Sequence, residues 1–131
     1  MIALVQRVAR ASVSIESDPD KTSAINRGML VLLGVGRADT EVDLNKIAAK
    51  LRKLRIFADE NGKMNLDISA AKGELLLISQ FTLLADTTGG NRPSFIKAAL
   101  PDHARGLYEK LATKLADLGL KLKTGFFGEY M

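Results

Sequence analysis

The chain has 131 residues, 47% of them hydrophobic; that is the length of one domain, with enough apolar material for a core. It contains no Cys, which excludes disulfides and thiolate metal sites and fits a reducing, cytoplasmic setting. A net charge of +4 permits contact with nucleic acid without requiring it. Charge arrives at Arg7, too early for a signal-peptide core. No apolar run approaches the roughly 20 residues of a membrane helix.

In chain order, Met1 to Ile15 is rich in apolar and β-branched residues (Ile2, Leu4, Val8, Val13, Ile15) with polar Gln6, Arg7 and Arg10 between them. This predicts two strands or one bent strand. Ser17-Asp18-Pro19-Asp20 predicts a turn. Gly28 opens the run Met29-Leu30-Val31-Leu32-Leu33-Gly34-Val35. It is too short and too continuous for a surface helix and predicts a strand buried on both faces.

Thr40 to Arg55 is predicted as a helix, with Thr40 and Asp43 as its capping signal. Leu44, Ile47, Ala48, Leu51 and Leu54 share one face, and Lys46, Lys50 and Lys53 form a stripe on the other. Asp59-Glu60-Asn61-Gly62 predicts a turn. Glu74 to Leu84 is predicted as a strand. A second helix starts near Pro101, with Ala104, Leu107, Tyr108, Leu111, Leu115 and Leu118 inward and Gly119 as its stop. Leu120-Lys121-Leu122-Lys123 then alternates as a strand with a basic face. The expected fold class is α+β: a mostly antiparallel sheet curled toward a barrel, with two helices packed on it, in one domain over residues 1–131.

Two segments hold the chemistry. Ser79-Gln80-Phe81-Thr82 ends an apolar strand, and Gly90-Asn91-Arg92-Pro93-Ser94-Phe95 follows a short Thr- and Gly-rich loop. Hydroxyls, amides and two Phe rings gathered at a strand end are what a small polar pocket needs. A hydroxyl without a neighbouring base is a poor nucleophile, and neither Ser79 nor Thr82 has a His or Lys nearby in sequence. Taken alone, both fit a structural role on a pleated surface better than a catalytic one. Backbone N–H groups at the strand end could form an oxyanion hole, or a substrate could bring its own base. Phe81 and Phe95 suit either the core or stacking on a nucleobase. His103, the only histidine, is expected as a solvated residue in a helix's first turn. Gly34-Val35-Gly36 is no phosphate loop.

The paired segments resemble the SQFT and NxPxF motifs of D-aminoacyl-tRNA deacylases. Further blocks are similar in the same order: Gln6-Arg7-Val8, Leu32-Leu33-Gly34-Val35, Arg55-Ile56-Phe57, Gly62-Lys63-Met64-Asn65-Leu66, and Gly125-Phe126-Phe127-Gly128 with Met131. The resemblance implies that family's fold and a homodimer with active sites near the subunit interface. It implies hydrolysis of the ester joining a D-amino acid, or mischarged glycine, to the terminal adenosine of tRNA, with no metal or organic cofactor. Ser79, Gln80, Phe81 and Thr82 would be catalytic. Arg7, Met64, Asn91, Pro93, Ser94 and Phe95 would bind substrate. Thr82 is one candidate nucleophile; the other is water activated by the tRNA's own 2′-hydroxyl, with the protein positioning it. Lys46, Lys50, Lys53, Lys121 and Lys123 are candidate phosphate contacts or simply solvated faces.

The family pattern continues past the residue matching Met131 into a strand carrying a Gly-Pro that rejects L-amino acids, with Arg7 holding it. No Gly-Pro occurs in these 131 residues. The expectation is therefore a site short of its stereochemical gate. The alternative is a shortened or inactive relative that binds tRNA without chiral editing.

Overall fold

A computed structural model describes residues 1–131. Four strands make the central sheet: β1 (Ile2–Val8), β4 (Gly28–Gly34), β7 (Glu74–Ser79) and β8 (Lys121–Thr124), in the order β1-β4-β7-β8. β1 runs antiparallel to β4, whereas β4/β7 and β7/β8 are parallel. Two antiparallel ribbons complete the strands: β2 (Ala11–Ile15) with β3 (Asp18–Ile25), and β5 (Phe57–Ala58) with β6 (Met64–Leu66). Antiparallel pairing thus holds in β1/β4 and both ribbons, while the middle of the central sheet is parallel. The parallel pairs follow from the long connections that carry helices between their strands.

Those helices, α1 (Glu41–Lys53) and α2 (Pro101–Asp117), cover one face of the sheet. Met29, Val31, Leu33, Leu75 and Leu77 meet Leu44, Ala48, Leu51, Leu107, Leu111 and Leu115 there in the main core. The β2–β3 ribbon folds over the other face, where Ile25, Leu76 and Ile78 are buried with Val13, Leu30 and Leu32 against them. The curl expected of the sheet comes from this ribbon; the hydrogen-bonded ladder leaves β1 and β8 as edges.

Several local expectations hold. Thr40 caps α1 in a full capping box, its N–H donating to the Asp43 carboxylate at 2.9 Å. Pro101 opens α2, and Gly119 takes φ +85° just beyond it. Others are corrected. The turn after β2 is at Glu16-Ser17, and Asp18, Pro19 and Asp20 belong to β3. Pro19 is tolerated because the ladder slips there: Ile15 pairs with Asp18 and Ser14 with Thr22. α1 stops at Lys53, since Leu54 is already extended (ψ 122°) while its N–H still donates to the Lys50 carbonyl. Leu118 is 41% exposed, outside the buried face of α2.

The correction that matters most is at β7. The strand ends at Ser79 rather than at Leu84, and Phe81–Leu84 form a short 3₁₀ turn. The Gln80 N–H makes the last bond toward β4, to the Leu33 carbonyl at 2.8 Å. Beyond it the turn folds over Gly34. A Cβ on Gly34 would stand 2.5 Å from Leu84 Cδ2, 3.0 Å from Leu83 Cβ and 3.2 Å from the Gln80 carbonyl oxygen. The absent side chain of Gly34 is what lets the 3₁₀ turn sit on the strand.

Candidate active site

β4 and β7 are parallel, so their carboxyl ends, Gly34 and Ser79, lie together. A cleft of about 700 Å³ opens at that end, the size of a small-ligand site. Ser79, Gln80 and Phe81 form one wall. Phe95 faces Phe81 edge-on, with ring centroids 5.1 Å apart and planes at 73°, a favoured aromatic arrangement. The two segments singled out in the sequence are thus brought together by their Phe rings. A second tie is the bridge between Asp86 and Ser94, whose main chains exchange bonds of 2.9 and 2.8 Å.

The opposite wall comes from three separate parts of the chain. Val35 and Arg37 follow β4, Ala98 to Pro101 lead into α2, and Phe127 to Met131 follow β8. The first two are stitched as a short ladder: Arg37 N–H to the Lys97 carbonyl at 3.1 Å and Ala99 N–H to the Val35 carbonyl at 2.9 Å. Small side chains at Ala98, Ala99 and Ala104 leave room for a ligand. Tyr108 supports the wall from behind. It packs on Phe127 with centroids 5.5 Å apart, and its hydroxyl donates to the Leu77 carbonyl at 2.8 Å. Burial pushes this phenol up to about 12.

The polar groups are sparse. The Ser79 hydroxyl makes no hydrogen bond within the chain, and the N–H groups of Phe81 and Thr82, the first of the 3₁₀ turn, have no acceptor. These are free donors of the kind that stabilise a developing oxyanion. Thr82 lies one residue past the lining, exposed, with its Oγ1 accepting from the Gln80 side-chain amide. An amide donor cannot remove a proton, so Thr82 has no base beside it. His103 is also occupied: its Nε2 meets the Asp39 carbonyl at 2.9 Å, which ties α2 to the loop carrying Arg37. A carbonyl accepts only, so this nitrogen carries the proton. Glu129 is the one carboxylate in the lining. The loop between the two segments is held by Asp86, whose carboxyl is lowered to about 2 by bonds from the Thr88 N–H and hydroxyl and by Lys97 at 3.2 Å.

Asn91, Pro93 and Ser94 are exposed on the loop beside the cleft and do not line it. Arg7 is at the far end of the central sheet, and Met64 is in the separate β5–β6 ribbon. Arg7 pairs with Met29, in register with Leu75 on β7, so about four residues, or roughly 13 Å along the strands, separate it from Ser79. Its guanidinium donates to the Ile56 carbonyl at 2.8 Å; Met64, 65% exposed, starts β6 nearby. Lys46, Lys50 and Lys53 are exposed on α1, Lys121 and Lys123 on β8, and none lines the cleft. No group of three or more His, Cys, Asp or Glu side chains is close enough to hold a metal ion. Sequence reasoning missed Arg37, Glu129 and the wall around Phe127; the Gly125-Phe126-Phe127-Gly128 block was the available signal for the last.

The chain is an α+β domain with a cleft at the carboxyl ends of a parallel strand pair. Its shape matches two solved structures. One is that of a c-Myc DNA Unwinding Element Binding Protein, with TM-score 0.89 and 38% identity over 98% of this chain and 86% of that one. The other is a probable eukaryotic D-amino acid tRNA deacylase, with TM-score 0.83 and 14% identity over 97% and 88%, a likeness of fold. Residues 4–131 match the family model described as D-Tyr-tRNA(Tyr) deacylase. The chain is 50% identical over all its 131 residues to the D-aminoacyl-tRNA deacylase of Shewanella sp. (strain MR-4), of which it spans 89%. It is also 50% identical to the enzyme of that name from Thermotoga petrophila, of which it spans 87%. The chain belongs to the D-Tyr-tRNA(Tyr) deacylase family.

Proposed function

We infer that residues 1–131 form one deacylase domain that hydrolyses the ester of D-aminoacyl-tRNA, and of glycine mischarged on tRNA, to free amino acid and tRNA. The observation that carries this is the cleft itself: Ser79, Gln80 and Phe81 at the end of β7, faced by Phe95, in a chain of this family. The aminoacyl group sits against Ser79 and the 3₁₀ turn, where the free N–H groups of Phe81 and Thr82 are available to the ester's carbonyl oxygen as it gains charge. Asn91, Pro93, Ser94 and Phe95 shape the adenosine side. Water attacks the ester carbon; the substrate's 2′-hydroxyl accepts the water's proton while passing its own to the departing 3′-oxygen, and the acyl C–O bond breaks, because Thr82 has only an amide donor beside it.

Arg7 and Met64 serve the same reaction from a second copy of the chain. Two observations favour a homodimer. Arg7 stands about 13 Å along the strands from the cleft in its own chain. The outer face of the edge strand β1 also exposes Ile2 at 42% and Leu4 at 53%, an apolar surface that a partner would cover. We place this work in the cytoplasm, where aminoacyl-tRNA is used; no helix is long and apolar enough to cross a membrane.

The test is turnover of D-Tyr-tRNA and L-Tyr-tRNA by the purified chain. Hydrolysis of the D-ester is expected. Salt-dependent tRNA binding without turnover would favour the binding-only relative instead. Sedimentation is expected to give twice 14.2 kDa; a monomer would remove the shared-site proposal.

A further inference from the structure

The cationic side chains at the cleft are arginines, and the lysine stripes lie outside it. Arg37 lines it directly. Its Nε donates to the Ala98 carbonyl at 3.3 Å, which braces the guanidinium and leaves its two terminal nitrogens unused. Arg105 lies over the ring of Phe127, which also lines the cleft, at 4.6 Å from the centroid. One of its terminal nitrogens comes within 3.7 Å of where a Cβ on Gly128 would be. Neither arginine pairs with a carboxylate, although Glu129 shares the lining; the ion pairs of the chain use Met1, Lys21, Arg52, Lys97 and Lys110 as their cations. The contact from His103 to the Asp39 carbonyl ties the two elements that carry these arginines into one wall.

A guanidinium fixed by a carbonyl or an aromatic face keeps planar N–H pairs free for a phosphate. A lysine on an exposed stripe has to be immobilised first, at an entropic cost. Both arginines stand beside the lining, whereas Lys46, Lys50, Lys53, Lys121 and Lys123 do not touch it. We propose that Arg37 and Arg105 bind the phosphodiesters next to the substrate's terminal nucleotide and so hold the aminoacyl end in the cleft. This rests on the deacylase reading above and adds to it the groups that recognise the RNA backbone.

The test compares wild type with Arg37→Gln and Arg105→Gln on two esters: D-Tyr-tRNA, and D-tyrosyl-adenosine, which has no phosphate. Each variant should raise KM for the tRNA ester about three- to tenfold and lower the salt slope by about 0.7, one single-strand phosphate contact. On D-tyrosyl-adenosine each should match wild type. Arg105→Lys, which keeps the charge but loses the planar N–H pairs, should recover only part of the tRNA effect, and Lys114→Ala, exposed in the last turn of α2 and outside the lining, should change neither substrate. Equal loss on both esters, or no change on tRNA, would overturn the proposal. A binding arm separates it from the deacylase reading. A short single-stranded RNA ending in adenosine, followed by fluorescence anisotropy, should bind wild type more tightly than either variant whether or not the ester is cleaved. Equal binding by all three would overturn the proposal even if turnover is normal.

Discussion

The two ends of β7 are built for opposite purposes. At its start, Glu74 is locked: it is in register with Gly28 on β4 and Lys121 on β8, and its carboxylate accepts the Asn26 N–H at 2.7 Å. At its finish, Ser79 leaves the ladder into a 3₁₀ turn with free N–H groups and an unpaired hydroxyl. Saturated bonding at one end supplies the rigidity that lets unsaturated bonding persist at the other.

Two glycines on β4, one beside each end of β7, separate fold from site. A Cβ at Gly28 would lie 1.7 Å from the Glu74 carbonyl oxygen, a backbone atom with nowhere to go. Gly28→Ala is expected to cost about 4 kcal/mol or more and to leave little folded protein. At Gly34 the nearest contact is the tip of Leu84 at 2.5 Å, which can yield. Gly34→Ala is expected to cost about 1–3 kcal/mol yet to lower kcat for the D-ester at least about tenfold, since it displaces the turn (about 1.4 kcal/mol in the barrier). Denaturant unfolding and steady-state turnover separate the two. A Gly34 variant that is stable and fully active would show that the turn's placement does not matter.

The aromatic pair sharpens the same contrast. Phe81→Ala and Phe95→Ala should each reduce turnover while altering stability little, because Phe81 is 55% exposed. Their combination should fall short of additivity by about 0.5–1.5 kcal/mol, the coupling of an edge-on pair. Strict additivity would mean that the rings act separately.

A smaller effect is expected at Tyr108, behind the cleft wall. Its folded-state pKa of about 12 lies above the ordinary 10.0. The stability linked to the neutral phenol is therefore complete below pH 10 and is lost as pH rises from 10 toward 12. Tyr108→Phe should cost about 1 kcal/mol, one hydrogen bond to a carbonyl that keeps the Gly125 N–H as a second donor. It should also flatten the alkaline limb of a thermal-stability profile. An unchanged limb would assign the alkaline loss to other groups.

How far these features could be read from sequence follows from their range along the chain. Periodicity gave both helices, and Thr40 and Pro101 marked their starts, because caps and apolar faces are local. Ser79 to Phe81 and Phe95, which line the cleft, stood out as candidates in the sequence because they lie in short motifs. The end of β7 was misplaced because Leu83 and Leu84 prolong the apolar pattern; the signal that stops it, Gly34, is on the neighbouring strand. Arg37 and Glu129 were invisible as site residues because they meet only through the sheet order, more than 90 residues apart. The parallel centre of the sheet was hidden for the same reason: strand direction is set by what the connections do.

The proposed reaction has this strand end position the ester while the substrate's own 2′-hydroxyl relays the proton. It is tested most directly by single-turnover hydrolysis of D-Tyr-tRNA carrying either a normal or a 2′-deoxy terminal adenosine, with Thr82→Ala and Glu129→Gln measured alongside. Both variants are expected to keep substantial activity on the normal substrate, and the 2′-deoxy substrate is expected not to be cleaved. Cleavage of the 2′-deoxy ester at the normal rate, or a folded Thr82→Ala or Glu129→Gln protein without activity, would contradict it.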